Sequence, residues 1–227
     1  MPRHPMPWIL LAIAASALLA IAGAYGIGGR NLHYLAKPLA TTLVLLLALR
    51  APRAGAPRLR QGIVAGLLLS LLGDVLLMLP GDYFVAGLAS FLLAHLCYLA
   101  AFSADVRLGA RPGPFVVYAV AALSMLALLW PRLPGGLHAP VAVYVVVLAT
   151  MAAQAAARAR VLATPAAALA AIGAGCFVLS DASLAFDRFH TPFAAAPALL
   201  LATYWLAQGL IAASLWPPRQ VRRDRAA

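Results

Sequence analysis

Apolar residues in this chain come in long runs, broken by short segments rich in Arg, Pro and Gly. Eight runs can be read, over about 8–25, 32–49, 61–79, 83–102, 114–131, 138–157, 163–186 and 194–216. A helix rises about 1.5 Å per residue, so a run of roughly 18 or more residues crosses the ~30 Å of hydrocarbon in a bilayer. The pattern therefore predicts an all-α fold: a polytopic membrane bundle of eight transmembrane helices forming a single domain over 1–227. The connecting segments are short, so consecutive helices should pack as antiparallel neighbours. Ala51-Pro52-Arg53-Ala54-Gly55-Ala56-Pro57 reads as the clearest linker, and Leu79-Pro80-Gly81-Asp82 as a tight turn with Asp82 capping the fourth helix. The first run also fits a cleaved signal peptide, with Arg3 before it and Ala22-Gly23-Ala24 at its end. The charge pattern below favours keeping it as a span.

Composition agrees with the run pattern. The chain is 64% hydrophobic and 10% charged, with a mean hydropathy of +0.93, whereas a soluble domain has about 25% charged residues. A net charge of +11 invites a nucleic-acid reading, but the basic residues sit between the apolar runs, where they orient a membrane protein. One side collects Arg3, Arg50, Arg53, Arg58, Arg60, Arg107, Arg111, Arg158, Arg160, Arg219, Arg222, Arg223 and Arg225. The other holds Arg30, Lys37, Arg132 and Arg188. Thirteen against four puts both termini in the cytoplasm, which an even number of spans permits. One Lys among seventeen basic residues, with abundant Ala, points to a GC-rich bacterial genome and so to a cytoplasmic (inner) membrane. Cys97 and Cys176 fall within apolar runs and read as packing thiols.

The chemistry concentrates in two places. All six carboxylates are Asp, and two of them, Asp74 and Asp181, lie inside apolar runs. A charged Asp at a helix centre costs about 2.5–3.5 kcal/mol on insertion scales, which the Leu-rich third run absorbs but does not explain. Such a residue faces the bundle interior and needs a partner or water. Five residues from the end of each run, the two carboxyls come out at matched depth, roughly 8 Å beneath the outer boundary. Gly28-Gly29-Arg30-Asn31-Leu32-His33 also resembles Gly135-Gly136-Leu137-His138 at nearly the offset of the two Asp motifs, so two four-helix repeats of the same orientation are expected.

Around the carboxylates, Phe91, His95 and Tyr98 share one helix face, as do Tyr204 and Gln208. His95 reads equally as a hydrogen-bonded packing residue, and Tyr204 as a cavity lining or a boundary aromatic. Lys37-Pro38 opens the second run; Lys37 either snorkels to the interface or meets a phosphate or one of the aspartates. Asn31, His33, His138, Asp187, Arg188 and His190 read as solvated residues of outer loops. A catalytic zinc wants three protein ligands, and only His95 among the histidines is expected to be buried within a run, the others standing at run edges or outside the runs, so no metal and no cofactor is expected. Leu71-Leu72-Gly73-Asp74 lacks the Gly two positions before Gly-Asp that intramembrane aspartyl proteases carry, and no Tyr-Asp pair occurs.

This set of residues resembles the YhhN family, which includes the eukaryotic lysoplasmalogenases. The matching pieces are Lys37-Pro38; Leu72-Gly73-Asp74 through Leu77-Met78; Phe84-x-x-Gly87-Leu88-x-x-Phe91-x-x-x-His95-x-x-Tyr98; Ser180-Asp181-x-x-Leu184-Ala185; and Tyr204-x-x-x-Gln208. They stand in order from the second run to the eighth. The resemblance implies an eight-span bundle that hydrolyses the vinyl-ether bond of a lysoplasmalogen, or another ether lipid, to a fatty aldehyde and a glycerophospho-alcohol. Its partners would be the lysophospholipid and the bilayer, with no nucleic acid.

The residues suit that chemistry. Protonating the double bond of a vinyl ether gives an oxocarbenium ion that water captures. One carboxyl must deliver the proton, and a second, ionised, stabilises the cation and activates water. Asp74 and Asp181 are the expected catalytic pair, in either order. Lys37, His95, Tyr98, Tyr204 and Gln208 are the expected substrate-binding residues. A transporter or lipid-handling protein using the two Asp as a proton relay is the alternative reading.

Overall fold

The computed structural model describes residues 7–52 and 56–216 and is all-helical over them. Arg3, Arg53, Arg219, Arg222, Arg223 and Arg225, six of the thirteen basic residues in the larger group, lie outside the described residues, as does the middle of the 51–57 linker. The helices are α1 (Pro7–Ala24), α2 (Arg30–Arg50), α3 (Pro57–Leu76), α4 (Phe84–Phe102), α5 (Pro112–Leu129), α6 (His138–Leu162), α7 (Pro165–Phe189) and α8 (Ala196–Ala213), with short 3₁₀ turns at Trp130–Arg132 and Gly135–Leu137. All eight are long and apolar enough to cross a membrane.

Their starts follow from local chemistry. A proline within the first two positions opens α3, α5, α7 and α8, where its fixed φ suits the helix and its missing N–H is no loss. Thr164 caps α7, its hydroxyl accepting the amide of Ala167 at 3.2 Å.

Several boundaries differ from those expected. The second helix starts at Arg30 rather than 32, so Asn31 and His33 are helical, and His33 Nδ1 lies 2.8 Å from the Ala20 carbonyl on α1. Pro38 is consequently an interior proline, two turns in, and leaves the Tyr34 carbonyl without its helical donor. The third helix stops at Leu76 instead of 79, because Pro80 disfavours helix before it and Gly81 adopts a φ of 132°. Asp82 makes no cap to α4; its Oδ1 instead lies 3.4 Å from Arg188. The seventh helix runs on to Phe189, making Asp187 and Arg188 helical, and His138 is the first residue of α6.

Neighbouring helices pack in the order expected of short loops: α1 on α2, α3 on α4, α5 on α6 and α7 on α8. The closest approaches use glycine. A Cβ on Gly62 would meet the Cys97 carbonyl of α4 at 2.8 Å, and one on Gly173 would meet the Ala207 carbonyl of α8 at 2.8 Å. Small residues of this kind let helix backbones close up where no hydrophobic drive separates protein from lipid. Between the halves, α2 packs on α8 and α4 on α6, so each half contributes its second helix to the fourth helix of the other. Cys97 and Cys176 are free, half-buried thiols.

Candidate active site

The second, third, sixth, seventh and eighth helices, together with α4 and α5, wall an apolar cavity of about 640 Å³, within the range of small-ligand sites. Its polar lining consists chiefly of Lys37, Asp74, Tyr144, Asp181, Arg188 and Tyr204. Both carboxylates therefore line the same cavity although 107 residues separate them in the chain.

Asp74 is fully buried in the last turn of α3. The Lys37 ammonium lies 3.5 Å from Oδ1, and Oδ2 accepts hydrogen bonds from the Thr41 hydroxyl at 2.6 Å and the Tyr204 hydroxyl at 2.7 Å. Lys37 and Thr41 are one turn apart on α2, so a single helix face delivers the cation and one hydroxyl. Trp205 donates from its indole N–H to Thr41 Oγ1 at 3.1 Å, fixing that hydroxyl. Gly73 is required beside it: a Cβ there would meet the Phe91 ring at 2.7 Å. Phe91 in turn sits edge-on to Tyr204 and to Phe177.

Asp181 has a different donor set. Its Oδ2 accepts the Tyr144 hydroxyl at 2.5 Å, and His95 Nε2 stands 3.3 Å from the same oxygen and 3.0 Å from the Tyr144 oxygen. No Lys or Arg pairs with Asp181 among the described residues, and its side chain remains 14% exposed, towards the cavity. The two carboxyls are thus alike in position and unlike in electrostatics. One is matched to a full positive charge, the other to neutral or titratable donors.

The expected depths do not match the helices. Asp74 stands two residues before the end of α3 and Asp181 eight before the end of α7; the shared cavity, not an equal distance from helix ends, relates them. The other expected site residues divide into two groups. Lys37 and Tyr204 line the cavity. His95, Tyr98 and Gln208 are fully buried behind its wall. His95 packs against Phe177 at 4.6 Å between ring centres, and the Tyr98 hydroxyl donates to Gln208 Oε1 at 2.7 Å. Those three pack behind the groups that line the cavity. Lys37 does not snorkel to an interface, since its ammonium is drawn inward to Asp74.

Tyr144, Thr41 and Arg188 belong to this constellation and carry weak sequence signals. Tyr144 follows Lys37 by the same 107 positions that separate Asp181 from Asp74, so the internal offset points to it. Thr41 is found by asking what shares a face with Lys37. Arg188 reads as a loop residue until α7 is seen to continue past it.

The chain matches the model of the YhhN family over residues 32–215. It is 35% identical over 193 residues to a lysoplasmalogenase of Mycobacterium bovis (strain ATCC BAA-935 / AF2122/97), covering 82% of this chain and 72% of that protein. It is 35% identical over 178 residues to lysoplasmalogenase TMEM86B of Sus scrofa, with 78% and 72% covered. A YhhN membrane protein of Escherichia coli O157:H7 is 36% identical over 129 residues, with 56% and 60% covered. No solved structure matches.

Proposed function

The chain belongs to the YhhN family, and from that premise we propose that it is a membrane-embedded hydrolase that cleaves the vinyl-ether bond of a lysoplasmalogen-type lipid. The observation that carries this reading is the pair of carboxyls with unlike donor sets on one apolar cavity. A long alkenyl chain partitions into such a cavity by burial of apolar surface, and the pair supplies an acid and an anion to its polar end.

In this reading Asp181 is the general acid. Its Oδ1 has no protein partner among the described residues and its side chain opens to the cavity. The proton passes from it to the vinyl carbon remote from the ether oxygen, leaving an oxocarbenium ion. Tyr144 and His95 then stabilise the carboxylate that Asp181 becomes. Asp74, opposite the Lys37 ammonium, carries the anionic charge that faces the cation and accepts a proton from the attacking water. Addition of water gives a hemiacetal; as it collapses, Asp74 returns the proton to the departing ether oxygen and Asp181 takes the hydroxyl proton, so that a fatty aldehyde and the glycerophospho-alcohol leave, both carboxyls are reset and one water is consumed. Tyr204, bonded to Asp74, holds the anion in place. The excess of basic residues on one side supports both termini lying in the cytoplasm of a bacterium, the protein sitting in its cytoplasmic membrane.

The test is purified protein in detergent, supplied with a lysoplasmalogen and no ion gradient. Stoichiometric release of fatty aldehyde is the expected result. A transporter that uses the carboxyls as a proton relay would release none, and that outcome would end the hydrolase reading.

A further inference from the structure

Among the described residues two cations line the cavity, Lys37 and Arg188. Lys37 is taken up by Asp74, its side chain 10% exposed. Arg188 is held differently. Its guanidinium carbon stacks 4.0 Å from the centre of the Phe84 ring and 5.7 Å from that of Phe189. A cation on an aromatic face keeps its N–H groups, which lie in the guanidinium plane, available to other partners. Its single ionic contact among the described residues, 3.4 Å to Asp82 Oδ1, involves a carboxylate whose side chain is 83% exposed, while Arg188 itself is 41% exposed; pairs of that kind contribute little. Arg188 thus lines the cavity with one long contact to an exposed carboxylate and no other hydrogen-bond partner for its guanidinium among the described residues.

The register along α7 fits a ligand of defined length. Asp181, Leu184, Ala185 and Arg188 form one stripe facing the cavity, and seven residues of helix put Arg188 about 10 Å along the axis from Asp181. In a lysophospholipid, roughly 6 Å of five covalent bonds separates the sn-1 ether oxygen from the phosphorus. An ionic contact at one end and a proton-transfer contact at the other fill the remainder.

Resting on the hydrolase reading above, we propose that Arg188 is the specificity residue that binds the head-group phosphate of the lipid, with Phe84 as its platform and Asp82 as the counter-ion that phosphate displaces. Guanidinium matches a phosphodiester through two parallel N–H···O bonds, which Lys cannot reproduce. The substrate is thereby set with its phosphate at the Arg188 end, its ether oxygen near the carboxyls and its alkenyl chain among α5, α6 and α7.

The experiment compares an alkenyl glycerophosphoethanolamine with the phosphate-free alkenyl glycerol, in wild type, Arg188→Gln, Arg188→Lys and Asp82→Asn. Wild type is expected to favour the phosphorylated lipid in kcat/KM. In Arg188→Gln that preference falls by about ten- to a hundredfold, mostly through KM, the loss expected for a charge-assisted pair. Arg188→Lys recovers part of it. Asp82→Asn, which frees the guanidinium, lowers KM for the phosphorylated lipid. An unchanged preference in Arg188→Gln overturns the proposal. Should that variant not fold, an Asp82→Asn enzyme with unaltered KM overturns it equally. Binding of a non-cleavable alkyl-ether lysophospholipid, measured against the corresponding alkyl glycerol, reads the same preference without catalysis. No aldehyde from either substrate together with intact Arg188-dependent binding would sink the hydrolase reading and leave the phosphate site standing.

Discussion

The ammonium of Lys37 lies 3.5 Å from Asp74 Oδ1, with the two side chains 10% and 2% exposed. A pair this far from water is governed by desolvation: each charge is tolerable only because the other is present. Removing one partner of a buried pair costs about 3–5 kcal/mol, whereas replacing both by apolar groups is often neutral. Lys37→Met and Asp74→Asn should therefore each lower the thermal midpoint in detergent by several degrees. The double variant should recover most of that loss while staying inactive. Midpoints that fall additively in the double variant would show that the two charges are not coupled.

Asp181→Asn should lower kcat for aldehyde release by about 10²–10⁴-fold, the usual contribution of a positioned general acid. Its effect on stability should be small, because this carboxyl is partly exposed and pairs with no Lys or Arg among the described residues. Single-turnover kinetics with a lysoplasmalogen give the comparison. Near wild-type kcat in the folded variant would remove Asp181 from the mechanism.

Tyr144→Phe deletes the 2.5 Å hydrogen bond to Asp181 while leaving the ring against His95. A hydrogen bond to a charged group contributes about 1.5–3 kcal/mol. If the bond strengthens as Asp181 loses its proton, kcat falls by roughly 10- to 100-fold with little change in KM. A rise in KM alone would assign Tyr144 to binding instead.

Gly73→Ala should disturb both stability and catalysis. Its Cβ would sit 2.7 Å from the Phe91 ring, which packs edge-on against Tyr204, a donor to Asp74. Overpacking of this kind costs about 1–3 kcal/mol. A Phe91→Leu change in the same chain should relieve it, giving a second variant more stable than the first, as read by thermal unfolding.

Gln154 offers a control remote from the cavity. Fully buried on α6, it donates to the carbonyls of Phe102 and Val106 and accepts the Gly109 amide, tying down the α4–α5 connection. Gln154→Leu strands those carbonyls, at about 1–3 kcal/mol for each buried group left unpaired. The thermal midpoint should drop while kcat/KM for aldehyde release stays at the wild-type value.

The sequence alone determined the helices and the identity of the two carboxyls. Apolar run length is fixed by bilayer thickness, so eight helices follow from local composition, and an Asp inside such a run stands out because lipid penalises it. Helix ends were less legible. Arg30, Pro80 and Phe189 moved them by a few residues, and with them Pro38 became interior and Arg188 helical. What touches what was decided by tertiary structure. Lys37 could have met water, phosphate or carboxylate, and only the packing of α2 on α3 and α8 selects Asp74. His95, Tyr98 and Gln208 carry the right chemistry on the right faces, yet a fraction of a helix turn sets them behind the cavity instead of on its wall. Helical periodicity gives a face to within about 100°, whereas a hydrogen bond demands a few tenths of an ångström, and the rotation of each helix about its axis, fixed by contacts distant in the chain, supplies the difference.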